Sequence, residues 1–228
     1  MLEQCLKILR EALSQCFTSA KPEIVTNWAI SGRTVSEIGG RLIEDYVLLH
    51  LPEELKKTSF EGRIECDIPE SGRAVEDIAV DFYAADWKIR LLVDVKGHNE
   101  LQRGSRPNLA SIRKCIDLYE AKASSTTEVV VFYCRYVPSI GKMQRSKTVS
   151  LAVQPSSFTE TGVFLLRQLS DANLDPANIG SGGQLLFARE HEVRIVDRSR
   201  AEFVSLLRQF QGRLAEAKSR SKGKAMDA

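Results

Sequence analysis

The chain has 228 residues, of which 43% are hydrophobic, so it is long and apolar enough to bury one sizeable core. Its 27% charged residues and net charge of +2 are typical of a soluble globular protein, and no apolar run approaches the length of a membrane span. This charge balance neither requires nor excludes a nucleic-acid partner, because a DNA enzyme of this composition needs its basic residues concentrated on one surface.

Cysteine usage indicates a reducing compartment. The five cysteines are odd in number, widely spaced and without zinc-ligand spacing: Cys5, Cys16, Cys66, Cys115 and Cys134. We therefore expect a cytoplasmic protein that keeps most of its cysteines in the core. The first ten residues, which include Glu3, Lys7 and Arg10, do not form a signal-peptide pattern.

Two helices open the chain. Apolar residues at three- and four-residue spacing over residues 2–17 predict an amphipathic helix, which packs on the core or forms a dimer contact. After a connecting region at residues 21–33, the capping-box pattern Thr34-x-x-Glu37 begins a second helix, and Pro52 ends it. Glu44 lies off the buried stripe of this helix, so it is either a solvated glutamate or a functional side chain.

Three strands are predicted next, as an antiparallel meander. Residues 62–68 form the first strand, and the alternating and then apolar pattern of residues 76–98 (EDIAVDFYAADWKIRLLVDVKGH) predicts a hairpin. If the hairpin turns about Ala85-Asp86, Asp77 lies directly opposite Asp94 on the neighbouring strand.

The hairpin is followed by a basic loop, a helix and another strand. His98, Arg103 and Arg106 lie in the loop, where they either contact phosphates or are simply solvated. Asn108 is the predicted cap of a helix that runs to about Ala123, and residues 128–137 (EVVVFYCRYV) predict a buried strand. A strand, a crossover helix and a second strand form a parallel unit, so we predict a mixed α/β (α+β) fold with a central mixed β-sheet flanked by helices.

The C-terminal third has a weaker pattern. We predict a basic loop at residues 142–147, a short strand at residues 149–153, a short helix at residues 162–169 and a hairpin of residues 184–188 with 192–196. A final amphipathic helix runs from about Arg200 to Ala217. We expect a single domain over residues 1–218, with its core at about residues 34–137, an extension at about 139–218 and a disordered tail at 219–228.

Two charged residues interrupt the apolar second strand of the hairpin. Asp94 and Lys96 are two apart and therefore emerge on one face. Buried charges are costly unless they are paired or coordinate a metal. Asp77 lies opposite Asp94, Asp81 lies four residues further along the same face, and converging carboxylates are commonly held by a divalent cation. The alternative is a structural ion pair on a solvated face.

This arrangement resembles the PD-(D/E)xK signature of the restriction-endonuclease-like nuclease superfamily. The resemblance covers about residues 34–137 and rests on Asp94-Val95-Lys96, on Asp77 or Asp81, and on Glu44 in the preceding helix. The proline that usually precedes the first aspartate is Glu76 or Val80 here, so both aspartates remain candidates.

The resemblance implies a restriction-endonuclease-like core and Mg²⁺ bound by Asp94 and by Asp77 or Asp81, with the carbonyl of Val95 as a further oxygen ligand. Lys96 would position or help to deprotonate the attacking water. Glu44 would join the metal shell through a water or support Lys96.

The implied function is Mg²⁺-dependent cleavage of double-stranded DNA. The size of the chain favours a type II restriction endonuclease acting as a homodimer, because two cuts in a duplex need two sites. A cognate DNA methyltransferase would be a separate chain. Alternatives are a Holliday-junction or repair nuclease of the same superfamily and a non-catalytic DNA-binding subunit, which would keep the basic loops without needing the Asp94 and Lys96 pair.

Overall fold

The computed structural model describes residues 1–18, 24–29, 34–69, 75–100, 106–122, 125–137, 139–142, 148–153, 158–179, 182–188 and 192–226. The helices are Leu2–Thr18 (α1), Thr34–Lys56 (α2), Ile112–Glu120 (α3) and Arg200–Met226 (α4). The strands are Ile24–Ala29 (β1), Arg63–Asp67 (β2), Ile78–Tyr83 (β3), Lys88–Asn99 (β4), Asn108–Ser111 (β5), Thr127–Tyr136 (β6), Ser139–Lys142 (β7), Thr148–Val153 (β8), Phe158–Leu165 (β9), Leu174–Ala177 (β10) and Gln184–Phe187 (β11).

A mixed sheet forms the centre of the fold. Within the described residues its strand order is β2-β3-β4-β6-β9, in which β4 and β6 are parallel and the other neighbours are antiparallel. Two smaller sheets have the orders β1-β8-β7 and β10-β11-β5. The predicted fold class, with a central mixed sheet between helices, is confirmed, as are the meander and the parallel unit.

The two faces of the central sheet are covered by different helices. Alternate residues of a strand point to opposite faces, and Val80 accordingly packs in a cluster with α1 and α2, whereas its neighbour Ala79 packs with α3 and α4. Phe132, 1% exposed in the middle of β6, stacks on Phe17 of α1 with ring centroids 5.5 Å apart. The sheet is thus covered on both sides, which explains the nearly continuous apolar sequences of β4 and β6.

Three elements near the site differ from their predicted bounds. α2 continues through Pro52 to Lys56, because Leu51 and Leu55 are buried in the core and hold its last turn. Asn108 does not cap α3. It is the first residue of β5 and pairs with Leu186 of β11, and α3 begins after Ser111. β4 runs on to Asn99 beside β6, so His98, which was predicted in a loop, belongs to the strand.

The C-terminal predictions were partly wrong. Residues 158–165 form β9 beside β6 instead of contributing to a helix at 162–169, so this region extends the central sheet. β11 pairs with β10 and β5, and not with residues 192–196. α4 continues to Met226, so residues 219–226 are helical and not a disordered tail.

The predicted connection at residues 21–33 contains β1, while the strand at residues 149–153 is confirmed as β8. The predicted basic loop at residues 142–147 lies, after Lys142, outside the described residues.

All five cysteines are unbonded thiols, and four of them are buried in the core as expected. Across the described ranges, none of the helices combines the length and the apolar composition that crossing a membrane requires.

Replacing Gly97 by alanine should test the close approach of α2 to β4. A Cβ at Gly97 would lie 3.0 Å from both Cβ and Cγ1 of Ile43, which is fully buried, so helix and strand must move apart. We expect G97A to lower the free energy of unfolding by about 1–3 kcal/mol in urea denaturation. The matched control is G212A in α4, where a Cβ meets nothing within 4 Å. This variant should instead gain about 0.5–1 kcal/mol of stability. Equal effects of the two substitutions would contradict the packing argument.

Candidate active site

The site lies where β3 begins and β4 approaches its C-terminal end. Ile78 pairs with Val93, so the antiparallel register places the preceding residue, Asp77, beside Asp94. The backbone N–H of Asp77 donates to the carbonyl oxygen of Val93 over 3.0 Å, which keeps this residue attached to β4. The hairpin turn predicted from the sequence therefore brings the two carboxylates together.

Lys96 links the two carboxylates. Its Nζ lies 2.6 Å from Oδ1 of Asp94 and 3.9 Å from Oδ2 of Asp77. Asp94 is 4% exposed, and the side chains of Lys96 and Asp77 are 16% and 26% exposed, so the cluster passes from the protein interior to solvent at Asp77. An ion pair this deeply buried interacts strongly because little water screens it.

The main chain of β4 fixes the orientation of Asp77. The N–H of Val95 donates to Oδ2 of Asp77 over 2.7 Å. Asp77 lies just before β3 begins, so its side chain takes a hydrogen bond at the point where the β3–β4 ladder ends. One carboxylate oxygen is thereby held in place, and a hydrogen bond from an amide to a charged acceptor is among the stronger kinds.

Glu44 reaches the cluster from α2. The preceding residue, Ile43, packs against Gly97 of β4, where the missing side chain allows the close approach of helix and strand. Glu44 is half-buried, and its charge raises the pKa values of both Asp94 and Lys96. The structure therefore brings Glu44, Asp77, Asp94 and Lys96 together from two strands and one helix.

Burial dominates the electrostatics of the cluster. Loss of hydration raises the pKa of Asp94 from 3.8 to about 7, and the charges of Asp77 and Glu44 add to the increase while Lys96 opposes it. Burial also lowers the pKa of Lys96, but the negative charges of Asp94, Asp77 and Glu44 together raise it above its ordinary value. Lys96 thus remains an ammonium at neutral pH.

One oxygen of Asp94 is available for a ligand. Its Oδ2 is buried and has no hydrogen-bond partner among the residues that the structure describes, whereas Oδ1 contacts Lys96. Among the described residues, no three or more His, Cys, Asp or Glu side chains are grouped so that they could hold a metal ion. Mg²⁺ commonly takes only one or two protein carboxylates and keeps several waters, so Asp94 and Asp77 fit that ion.

Asp81 lies in a different environment from Asp77. Asp81 lies four positions after Asp77, which corresponds to roughly 13 Å along a strand. Oδ2 of Asp81 lies 3.2 Å from Nζ of Lys88 and 3.4 Å from Arg90, the residue opposite it in β4. Its Oδ1, like Oδ2 of Asp94, is buried without a hydrogen-bond partner in the described part of the chain. The structure thus places Asp77, and not Asp81, beside Asp94.

Of the three predicted DNA-contacting residues, the structure describes His98 and Arg106. His98 follows Lys96 on the same face of β4 but is only 3% exposed. Arg106 forms an ion pair with Asp175 of β10, which ties the segment before β5 to that strand. Arg103 lies outside the described residues.

Two contributions to the site were missed in the sequence. Every residue except proline carries a backbone N–H, so nothing in the sequence marks the amide of Val95 as the group that orients Asp77. Cys115 of α3 lies close enough to Asp94 for its charge to add to the effect of burial and raise the pKa of the thiol. The periodicity of α3 could have indicated this buried face, but not which strand residue it covers.

No model of a known protein family matches the sequence, and no protein with a curated description matches it significantly. Among solved structures, the chain is similar to the NlaIV restriction endonuclease, with a TM-score of 0.47 and 13% sequence identity. The match covers 90% of this chain and 78% of that one.

The buried carboxyl of Asp94 should make stability depend on pH. Because the folded chain holds a proton that the unfolded chain releases between about pH 4 and pH 7, the free energy of unfolding falls as pH rises through this window. In EDTA, the stability of D94N relative to wild type should therefore increase between about pH 5 and pH 8, by about 2 kcal/mol in urea denaturation. The control is D86N at an exposed aspartate, whose difference from wild type should stay constant. A constant difference for D94N as well would show that ionising Asp94 carries no folding penalty.

Proposed function

We propose that this chain is a Mg²⁺-dependent DNA endonuclease that hydrolyses phosphodiester bonds. The observation that carries the proposal is the convergence of Asp77, Asp94, Lys96 and Glu44, with one buried oxygen of Asp94 left without a partner. A buried carboxylate without full hydrogen bonding is unfavourable for folding alone. At Asp94 the unpartnered oxygen lies in a cluster with Asp77 and Glu44, and a divalent cation would offset the repulsion between these carboxylates. The resemblance to the PD-(D/E)xK signature gives the same set of residues.

Asp94 and Asp77 would hold the metal ion, with the carbonyl of Val95 as a further oxygen ligand. When bound, Mg²⁺ would supply Lewis-acid polarisation of the phosphate and lower the pKa of a bound water. The amide of Val95 holds Asp77 in position before any ligand arrives. Such preorganisation reduces the free energy needed to arrange the site during catalysis.

Lys96 and Glu44 would act on the attacking water. The ammonium of Lys96 offers three donors, of which one is directed at Asp94, so others can orient a water and stabilise negative charge on the phosphate. Glu44 would support Lys96 or accept a hydrogen bond from that water. Lys96 is therefore a positioning group and not a metal ligand.

We further propose that the substrate is a specific sequence in duplex DNA, as for a type II restriction endonuclease, and that the chain acts as a homodimer in the cytoplasm. A duplex has two strands to cut, and one copy of this site can attack one phosphate. Sedimentation of the full chain with and without duplex DNA tests the homodimer. A cognate methyltransferase would be a separate protein.

Cleavage of a mixed plasmid and phage DNA panel in Mg²⁺ should distinguish substitutions in the candidate site from substitutions outside it. D94A, K96A and D77N should each lower the cleavage rate by at least about a hundredfold, because each removes a group that stabilises charge at the reacting phosphate. D81N and K88A carry matched changes on the same two strands, outside the cluster, and should retain cleavage.

Discrete fragments from wild type would support a sequence-specific enzyme, and relaxed or branched-substrate cleavage would favour a repair or junction nuclease. DNA binding without cleavage in wild type would instead favour a non-catalytic subunit. Loss of cleavage in D81N with retention in D77N would exchange the roles of the two aspartates.

Metal binding should distinguish Asp94 from Lys96. About 10 mM Mg²⁺ should raise the melting temperature of wild type, because a ligand that binds only the folded state stabilises it. D94N should lose this shift, since the buried ligand oxygen is replaced by an amide. K96M should keep or enlarge it, because removing a neighbouring cation favours a divalent ion, yet it should not cleave DNA. A structural ion pair predicts no Mg²⁺ effect in any of the three proteins.

A further inference from the structure

α4 begins at the end of the central sheet that lies away from the candidate site. Arg200, its first residue, donates from its guanidinium to the carbonyl of Thr127, the first residue of β6. Thr127 pairs with Arg90, near the start of β4, whereas Asp94 and Lys96 lie further along that parallel pair. α4 is therefore anchored at the end of the sheet where β6 begins, away from the candidate site.

α4 then runs along the sheet towards the end that carries the candidate site. α3 is the crossover from the C-terminal end of β4 to the start of β6, so its first residue, Ile112, lies at the site end of the sheet. A Cβ placed on Gly183 would lie 2.7 Å from Cδ1 of Leu214 and 3.2 Å from Cδ1 of Ile112. Leu214 of α4 therefore lies near the start of α3, at the end of the sheet that carries the candidate site.

Twelve residues of α4 continue beyond Leu214, which corresponds to about 18 Å at the rise of an α-helix. We name residues 213–226 the basic extension. It contains five lysine or arginine residues and one glutamate in the sequence. Arg213, Lys218 and Arg220 are exposed. This part of the helix projects a positive charge at the end of the molecule that carries the candidate site.

The character of one helix face changes where α4 leaves the core. Phe203, Leu207 and Phe210 are buried in the core cluster that also contains α3, and Leu214 follows on the same stripe. The next position of this stripe, four residues after Leu214, is the exposed Lys218, which lines a surface pocket together with Asn178 and Gly182. A face that is apolar over the core and cationic beyond it suits a polyanion better than a second protein core.

We propose that the basic extension binds the phosphate backbone of the nucleic acid that is cleaved at the candidate site. This inference rests on the proposed function, because the substrate is what places a polyanion at this end of the sheet. Duplex DNA carries one negative charge per about 1.7 Å of its axis, so about 18 Å of helix can face several phosphates. Such contacts supply affinity and orientation without reading sequence.

The alternative is that these cations only stabilise the C-terminal end of a solvated helix through its dipole. Glutamine has nearly the helix propensity of lysine and arginine, so K218Q/R220Q removes two charges while keeping the helix. The matched control is K7Q/R10Q, which removes two charges from exposed positions of α1 on the opposite face of the sheet. Circular dichroism of both variants checks that helix content is unchanged.

The experiment measures binding of the full-length chain to a 24-base-pair duplex, with Ca²⁺ replacing Mg²⁺ to limit cleavage, over a series of salt concentrations. K218Q/R220Q should raise Kd about tenfold near 0.1 M salt and lower the slope of log K against log salt by about 2, since each lost phosphate contact removes about 0.9. K7Q/R10Q should bind as wild type does.

The outcomes separate this inference from the proposed function. Equal binding by K218Q/R220Q and wild type, with wild type cleaving DNA, overturns the role of the basic extension and leaves the nuclease intact. Weakened binding by K218Q/R220Q, with a wild type that binds but never cleaves, supports the extension and overturns the catalytic proposal. Wild-type protein that neither binds nor cleaves overturns both.

Discussion

The burial of Asp94 and Lys96 in an apolar strand is the constraint on which the rest of the site depends. Neighbouring residues of β4 face the core of α1 and α2, so the strand cannot turn these two charges outward without exposing that core. The pair instead remains in a region of low hydration, where the 2.6 Å contact offsets part of the cost of removing both ions from water. Asp77 and Glu44 then act on a pair that little solvent screens.

Glu128 is a buried carboxylate of this chain whose hydrogen bonds are all structural, and it can be compared with Asp94. Glu128 is 6% exposed at the start of β6, and both of its oxygens accept from Nε of Arg167, at 3.2 and 3.1 Å. Tyr119 donates to one oxygen over 3.2 Å, and Arg200 lies 3.6 Å from the other. Within the described ranges, Asp94 has one cationic contact and one unpartnered oxygen. The fold can satisfy a buried carboxylate fully, as at Glu128. Asp94 differs because its unpartnered oxygen lies in a cluster with Asp77 and Glu44.

The sequence predicted those parts of the site that depend on strand periodicity. A turn at Ala85-Asp86 is enough to place Asp77 opposite Asp94, and the alternation of β4 puts Lys96 on the same face. The extent of β4 was not predictable, because Gly97 has the usual meaning of a strand break, whereas here its missing side chain accommodates α2. The predictions for the C-terminal third were partly wrong for a related reason. β9 and β11 are defined by pairing with distant strands. β11 has only four residues, and Gly162 interrupts the β-favouring sequence of β9.

The two ends of the central sheet consequently have different roles. At the end where β6 begins, arginines from the C-terminal third saturate Glu128 and nearby carbonyl groups, and Arg198 donates to the carbonyls of Arg167 and Leu169 over 2.9 Å. This network fixes the start of α4. At the other end lie the incompletely paired Asp94 and the cationic continuation of the same helix. Because α4 is one continuous helix anchored at the end where β6 begins, it would hold these charges beside the end that carries the candidate site. The C-terminal third, which the sequence left without a role, thus connects the stability of one end of the sheet to the chemistry proposed for the other.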